Sequence, residues 1–228
     1  NDTITSGTGA DSLSGGAGAD TFIFTSGADL YADTVVGGSG TDIDVIQFGT
    51  SASPYTLVDS QFSHVSGVER LDLSLNTKAD IVTLGTSTSF TSVLLGGTGG
   101  DNLHLTSALT LSVYGGTGAE TVTLDTAGAT VTLQDVSTVA ANGSANDTVY
   151  VANTAAGTIT VNTGSGADTL TVNGTFGQTI LASNVETITG GAAADVITIS
   201  AGTSVVDAGA GNDTITSGTG ADSLSGGA

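Results

Sequence analysis

The chain has 228 residues and a formal net charge of −20, with 22 acidic side chains against two basic ones, Arg70 and Lys78. That balance excludes a nucleic-acid binder, which must place Lys and Arg on the phosphates, and it excludes attraction to an anionic bilayer. Glycine is abundant at 35 residues, yet 38% of the chain is apolar and Thr, Val and Ile are plentiful, so the composition predicts a folded β protein and not a disordered tail.

Asp outnumbers Glu 19 to 3. The short carboxylate suits tight turns and cages for hard cations, and the uncompensated charge itself asks for a cation. There is no Cys, which fits a cytosolic protein or a secreted one stabilised by metal. No stretch has the apolar length of a membrane span, so no membrane insertion is expected. The sequence starts at Asn1 and is read as a processed or excised piece.

Residues 1–47 carry a period of nine. Asp2, Asp11, Asp20 and Asp29 are spaced by nine, and two places after each stands Ile4, Leu13, Phe22 or Tyr31. No helical stripe has that period; a six-residue turn followed by a three-residue strand with its middle side chain inward does. The turns are glycine-rich: Gly7 and Gly9 precede Asp11, Gly16 and Gly18 precede Asp20, and Gly38 and Gly40 precede Asp42. Gly15–Asp20 and Gly37–Asp42 read G-G-x-G-x-D in full. Glycines permit the positive-φ turns that aim successive carbonyls at one point, and the closing Asp adds a carboxylate. Such an irregular oxygen cage suits Ca2+ better than Mg2+. In the third copy Asp44 falls where the inward apolar residue belongs, which disturbs that strand's register.

Residues 48–165 depart from strict nines. Segment 49–66, with Pro54, Tyr55, Phe62 and His64, is expected to be an insertion or larger loop. A third full copy follows at Gly96–Asp101, supplying Gly97, Gly99 and Asp101. Asp80, Asp101, Glu120, Asp147 and Asp168 are 21, 19, 27 and 21 residues apart, so the middle coils are longer and unequal. Around Asp80, Glu120 and Asp147 the motif is degenerate, and a metal site or a metal-free turn fits equally. Glu69 and Glu186 are expected at solvated coil corners. His64 and His104 are too isolated for a zinc or catalytic site, which leaves packing or exposure.

From 166 to 228 the nines return: Glu186, Asp195, Ser204, Asp213 and Asp222 are followed two places on by Ile188, Ile197, Val206, Ile215 and Leu224. Gly164 and Gly166 precede Asp168, Gly209 and Gly211 precede Asp213, and Gly218 and Gly220 precede Asp222. Residues 212–228 repeat residues 1–17 letter for letter. The simplest reading is one 211-residue period of a tandem array plus a 17-residue overlap.

Gly15–Ile23 and Gly96–His104 resemble the nonapeptide G-G-x-G-x-D-x-U-x of the RTX (repeats-in-toxin, hemolysin-type) calcium-binding family. Ser6–Ser14, Thr163–Thr171, Ala208–Thr216 and Ser217–Ser225 lack only the first Gly. The resemblance implies an all-β, right-handed parallel β-roll/β-helix solenoid, with regular nonapeptide coils at both ends, irregular coils in the middle and several bound Ca2+ ions. It implies that residues 18 apart stack, so that Asp2 pairs with Asp20, Asp11 with Asp29, and Asp195 with Asp213. The related phrases at His64–Leu84 and Ala182–Ser200 are similar to those of RTX-type surface-layer proteins of Gram-negative bacteria. They imply an extracellular, cell-surface protein exported by type I secretion, with end-to-end self-association and cell-surface polysaccharide as partners.

No nucleophile elbow, H-E-x-x-H, Cys nucleophile or Walker loop is present, so no enzyme is expected. The favoured expectation is a calcium-binding structural module of a filament, surface layer or adhesin stalk that folds and assembles on Ca2+. The alternatives are an RTX secretion and folding segment of an exported toxin or enzyme and, as a minor one, an ice-binding solenoid built on the many Thr-x-Thr pairs.

Overall fold

The computed structural model describes residues 1–125 and 128–228, and among them every paired strand runs parallel to its neighbour. The chain is an all-β solenoid of right-handed parallel coils, as its repeats imply. It divides into two compact units, Asn1–His104 with Leu111–Glu120, and Leu105–Thr110 with Thr121–Ala228.

In the first unit, strands Thr3–Thr5, Thr21–Phe24, Val45–Phe48, Arg70–Asp72, Ser92–Leu94 and Thr110–Tyr114 form one sheet in that order. Their register runs Thr3, Thr21, Val45, Arg70, Ser92, Ser112. Its other strands include Ser12–Gly16, Thr34–Gly38 and Val65–Ser66, which pair in that order, and Thr56–Leu57, which pairs with Ile81–Leu84. In the second unit, Thr130–Gln134, Thr148–Val151, Thr169–Val172, Thr187–Thr189, Val205–Asp207 and Ser223–Ser225 form one face. Thr121–Leu124, Thr138–Ala141, Thr158–Asn162, Thr179–Ser183, Val196–Ala201 and Thr214–Thr216 form the other.

Strict alternation explains the strands. In Thr169-Leu-Thr-Val172 the aliphatic residues are buried while the threonines stay partly exposed, and the pattern recurs coil after coil. Inside the first unit, Phe22, Phe24, Ile46, Phe48, Leu71 and Leu73 are fully buried, with Phe24 and Phe48 6.1 Å apart between ring centroids. The second unit is filled by smaller side chains such as Val131, Val149, Leu170, Ile188 and Val206. Outward threonines form a column, Thr130, Thr148, Thr169 and Thr187, which gives way to Val205 in the next coil. Its parallel column is broken by Tyr150 and Asp207.

Two segments differ from the sequence-based expectation. Gly27–Ala32 is an α-helix, not a coil turn and strand: Ser26 caps it, accepting the Asp29 N–H at 3.1 Å, and Leu30 is buried beneath it. Segment 49–66 contributes to the core through Tyr55, Leu57 and Phe62, the last in the 3-10 turn Asp59–Phe62. Gln61 ties that turn to the helix by donating to the Gly27 carbonyl at 2.8 Å.

Candidate metal centres

The coils are joined by more than their sheets. Immediately before a strand stands an acid whose carboxylate reaches back to the backbone N–H at the same point of the previous coil. In the first unit Asp2 N–H donates to Asp20 (2.6 Å), Asp20 N–H to Asp44 (2.7 Å) and Asp44 N–H to Glu69 (2.9 Å). A second ladder runs from Tyr55 N–H to Asp80 (2.7 Å) and from Asp80 N–H to Asp101 (2.7 Å). In the second unit Ala129 N–H donates to Asp147 (2.8 Å), Asp147 N–H to Asp168 (2.7 Å) and Asp168 N–H to Glu186 (2.9 Å). There Gln178 N–H also reaches Asp195 (2.7 Å), Asp195 N–H reaches Asp213 (2.8 Å) and Ser204 N–H reaches Asp222 (2.9 Å).

One carboxylate oxygen serves the ladder, and in four of these acids the other is left over. Asp20, Asp80, Asp168 and Asp213 each hold a buried second oxygen with no protein partner, and both oxygens of Glu120 are in that state. Asp20, Asp33, Asp44, Asp80, Asp101, Glu120, Asp147, Asp168 and Asp195 are all buried. Among the described residues no Lys or Arg forms an ion pair with any of them. Burying unpaired carboxylates costs several kcal/mol each, so a group of positive charge or a proton must offset them. Burial pushes Asp101 up to about 7, with the nearby Asp80 and Glu120 carboxylates adding to the effect. Burial likewise raises Asp80, Asp147 and Asp168, outweighing the backbone hydrogen bonds that favour their ionised forms.

The turns complete the oxygen supply. Gly18 and Gly220 have φ of +102° and +148°, which no side-chain-bearing residue adopts without strain. A Cβ on Gly38 would overlap the Gly16 carbonyl oxygen of the coil before it, so the stacked turns lie backbone against backbone. Between those two turns lies a cavity of about 10 Å³ lined by Gly16, Gly18, Ser39, Gly40, Asp42 and Asp44. It has room for one ion or one water molecule. Among the described residues no three His, Cys, Asp or Glu side chains converge on one point. A cation here would draw on turn carbonyls plus one or two carboxylates, a donor set that suits Ca2+ and not Zn2+.

The structure brings some of the expected residues together. Gly16 and Gly18 meet Gly40 and Asp42 across one cavity, Asp2 stacks with Asp20, and Asp195 with Asp213. It separates others. Asp11 N–H reaches Asp33 (2.8 Å), not Asp29, because the helix lengthens the coil and carries Asp29 into its own first turn. Asp42 is exposed, and Asp44 takes the ladder position after Gly37–Asp42. Glu69 and Glu186, expected at solvated corners, are ladder acceptors. The Gly7–Gly9 and Gly218–Gly220 turns border Asp11 and Asp222 as the motif implies, and Gly97, Gly99, Gly164, Gly166, Gly209 and Gly211 stand in the turns before Asp101, Asp168 and Asp213.

A family model for the RTX calcium-binding nonapeptide repeat matches in four copies, over residues 1–31 and 198–228. No curated protein and no solved structure matches the chain. The matched stretches hold the stacked turns of Asp2 and Asp20 at one end and the ladder acids Asp213 and Asp222 at the other, so four copies of the RTX calcium-binding nonapeptide repeat stand at the two ends of this chain.

Proposed function

We propose that the chain is a calcium-stabilised structural module of an extracellular tandem-repeat protein, a filament, surface layer or adhesin stalk. The observation that carries this reading is the ladder at the repeated segment. Residues 212–228 copy residues 1–17 and fold as the same kind of coil, with strands Thr214–Thr216 and Ser223–Ser225 answering Thr3–Thr5 and Ser12–Gly16. The copied acids Asp213 and Asp222 accept N–H groups from the preceding coil. Their originals, Asp2 and Asp11, give their N–H groups to the following one. A further period joined at 212–228 continues both ladders without a break. A secretion segment has no use for such a long-period copy, whereas a stalk grows by it.

Ca2+, when bound, supplies the positive charge that the buried carboxylates lack. Asp44, Asp42 and the turn backbone at Gly16, Gly18 and Gly40 would hold one ion; the unpartnered oxygens of Asp20, Asp168 and Asp213 point to others. At low calcium the acidic chain stays unfolded and exportable; at extracellular calcium it folds. Circular dichroism of the chain in EGTA and after added Ca2+ tests this. A gain of β signal on adding calcium is expected, and a full β spectrum in chelator sinks the coupling.

A further inference from the structure

The outer face of the first unit carries a second kind of site, unrelated to the acidic turns. A hollow of about 280 Å³ opens there between Arg70, Leu94 and Tyr114. The strand register explains it. Along one outward column Val45, Arg70, Ser92 and Ser112 follow one another, and along the next Gln47, Asp72, Leu94 and Tyr114. The first column steps down from a long side chain to two serines while the second stays large, which leaves a trough walled by Leu94 and Tyr114.

Arg70 lies at its end. Its Nε donates to Ser92 Oγ at 3.3 Å, and among the described residues no carboxylate lies within 4.0 Å of the guanidinium. In a chain with two basic side chains and 22 acidic ones, an Arg without a carboxylate partner is an unspent anion receptor with its outer N–H groups free. Two residues along the same face, Asp72 offers acceptors, one oxygen steadied by Gln47 Nε2 at 3.2 Å and the other by Ser74 N–H at 2.8 Å.

We infer that this hollow binds an acidic sugar. The ligand must present an anion to Arg70 and an apolar face to Leu94 and Tyr114 within the hollow, and hydroxyl donors to Asp72, which stands next to Leu94 in the strand register outside that lining. A pyranose uronate meets the three demands together. A plain carboxylic acid lacks the hydroxyls that would make Asp72 tolerable beside it, and a neutral sugar leaves the guanidinium unpaired. The site does not depend on the calcium reading, since none of its residues belongs to a turn.

The test is calorimetric titration of the full calcium-loaded chain with trigalacturonic acid, maltotriose and glucose 1-phosphate, repeated on Arg70→Gln and Tyr114→Ala. Trigalacturonate should bind, maltotriose at least tenfold more weakly, and Arg70→Gln should lose at least tenfold while Tyr114→Ala loses several-fold. Unchanged circular dichroism and calcium uptake in both variants keep a folding defect apart from a lost site. Equal binding by Arg70→Gln means association through calcium alone and overturns the proposal, as does equal binding of maltotriose. Binding of glucose 1-phosphate in place of trigalacturonate overturns the uronate and assigns the hollow to phosphorylated sugars.

Discussion

At the scale of single residues, each ladder acid does two jobs that a substitution can separate. Asp44→Asn keeps an oxygen for the Asp20 N–H but removes the charge from the small cavity beside Gly16 and Gly40. Calcium affinity there should fall at least tenfold, about 1.4 kcal/mol, with the metal-free spectrum unchanged; calorimetric calcium titration against the parent chain reads it. The buried acids also set a pH dependence. Asp101 titrates near 7 in the fold against 3.8 ordinarily, so its contribution to stability is present below its ordinary value and is lost as pH climbs through about 7. Asp80, Asp147 and Asp168 move in the same direction. In EGTA the β signal in circular dichroism should therefore be larger at pH 5 than at pH 8, where the metal-free chain is unfolded, and in saturating calcium the unfolding temperature should be higher at pH 8, because protons compete with the ion. A metal-free chain that gains β signal from pH 5 to pH 8 would contradict the burial of these groups.

At the scale of the element, the strands were legible and the turns only partly. Threonine alternating with Val, Ile or Leu marks strands such as Thr121–Leu124, Thr130–Gln134 and Thr158–Asn162 even where the chain departs from nines, and at the ladder acids the inward residue stands two places on. That second signal was the better one. It holds for Asp33 with Val35, Asp44 with Ile46, Glu69 with Leu71 and Glu186 with Ile188, all of them buried apolar partners. Glycine spacing instead led to Asp42, two residues early, because a turn can carry two extra residues before its strand without losing its place in the stack. The helix Gly27–Ala32 was hidden for a related reason: Asp29 and Tyr31 keep the nonapeptide spacing, yet Ser26 and buried Leu30 stabilise a helical turn there. Ser26→Ala should cost about 1 kcal/mol, measured by urea unfolding, through loss of the cap on the Asp29 N–H. Gly38→Ala should cost more, roughly 1–3 kcal/mol, since its methyl group must displace the Gly16 carbonyl and spread two stacked turns.

At the scale of the whole molecule, a charge of −20 borne largely by buried or turn-closing acids describes a scaffold awaiting cations more than a solubilising coat. Each Ca2+ offsets two of those charges. If periods stack through the repeated segment, a chain of two 211-residue periods should melt at a higher temperature than one, because the added interface joins two coils that are otherwise free. Asp213→Ala with Asp222→Ala at the junction should remove that gain, and any fibres seen by electron microscopy should shorten. The ladder has one more consequence, for spectroscopy. The amide protons of Asp20, Asp80, Asp147 and Asp195 point at carboxylates and not at peptide carbonyls. A proton held by a charged acceptor shifts when that acceptor is protonated or shares its charge with a metal, so these amides are built-in indicators, spaced along the chain, from which the state of each coil can be read separately.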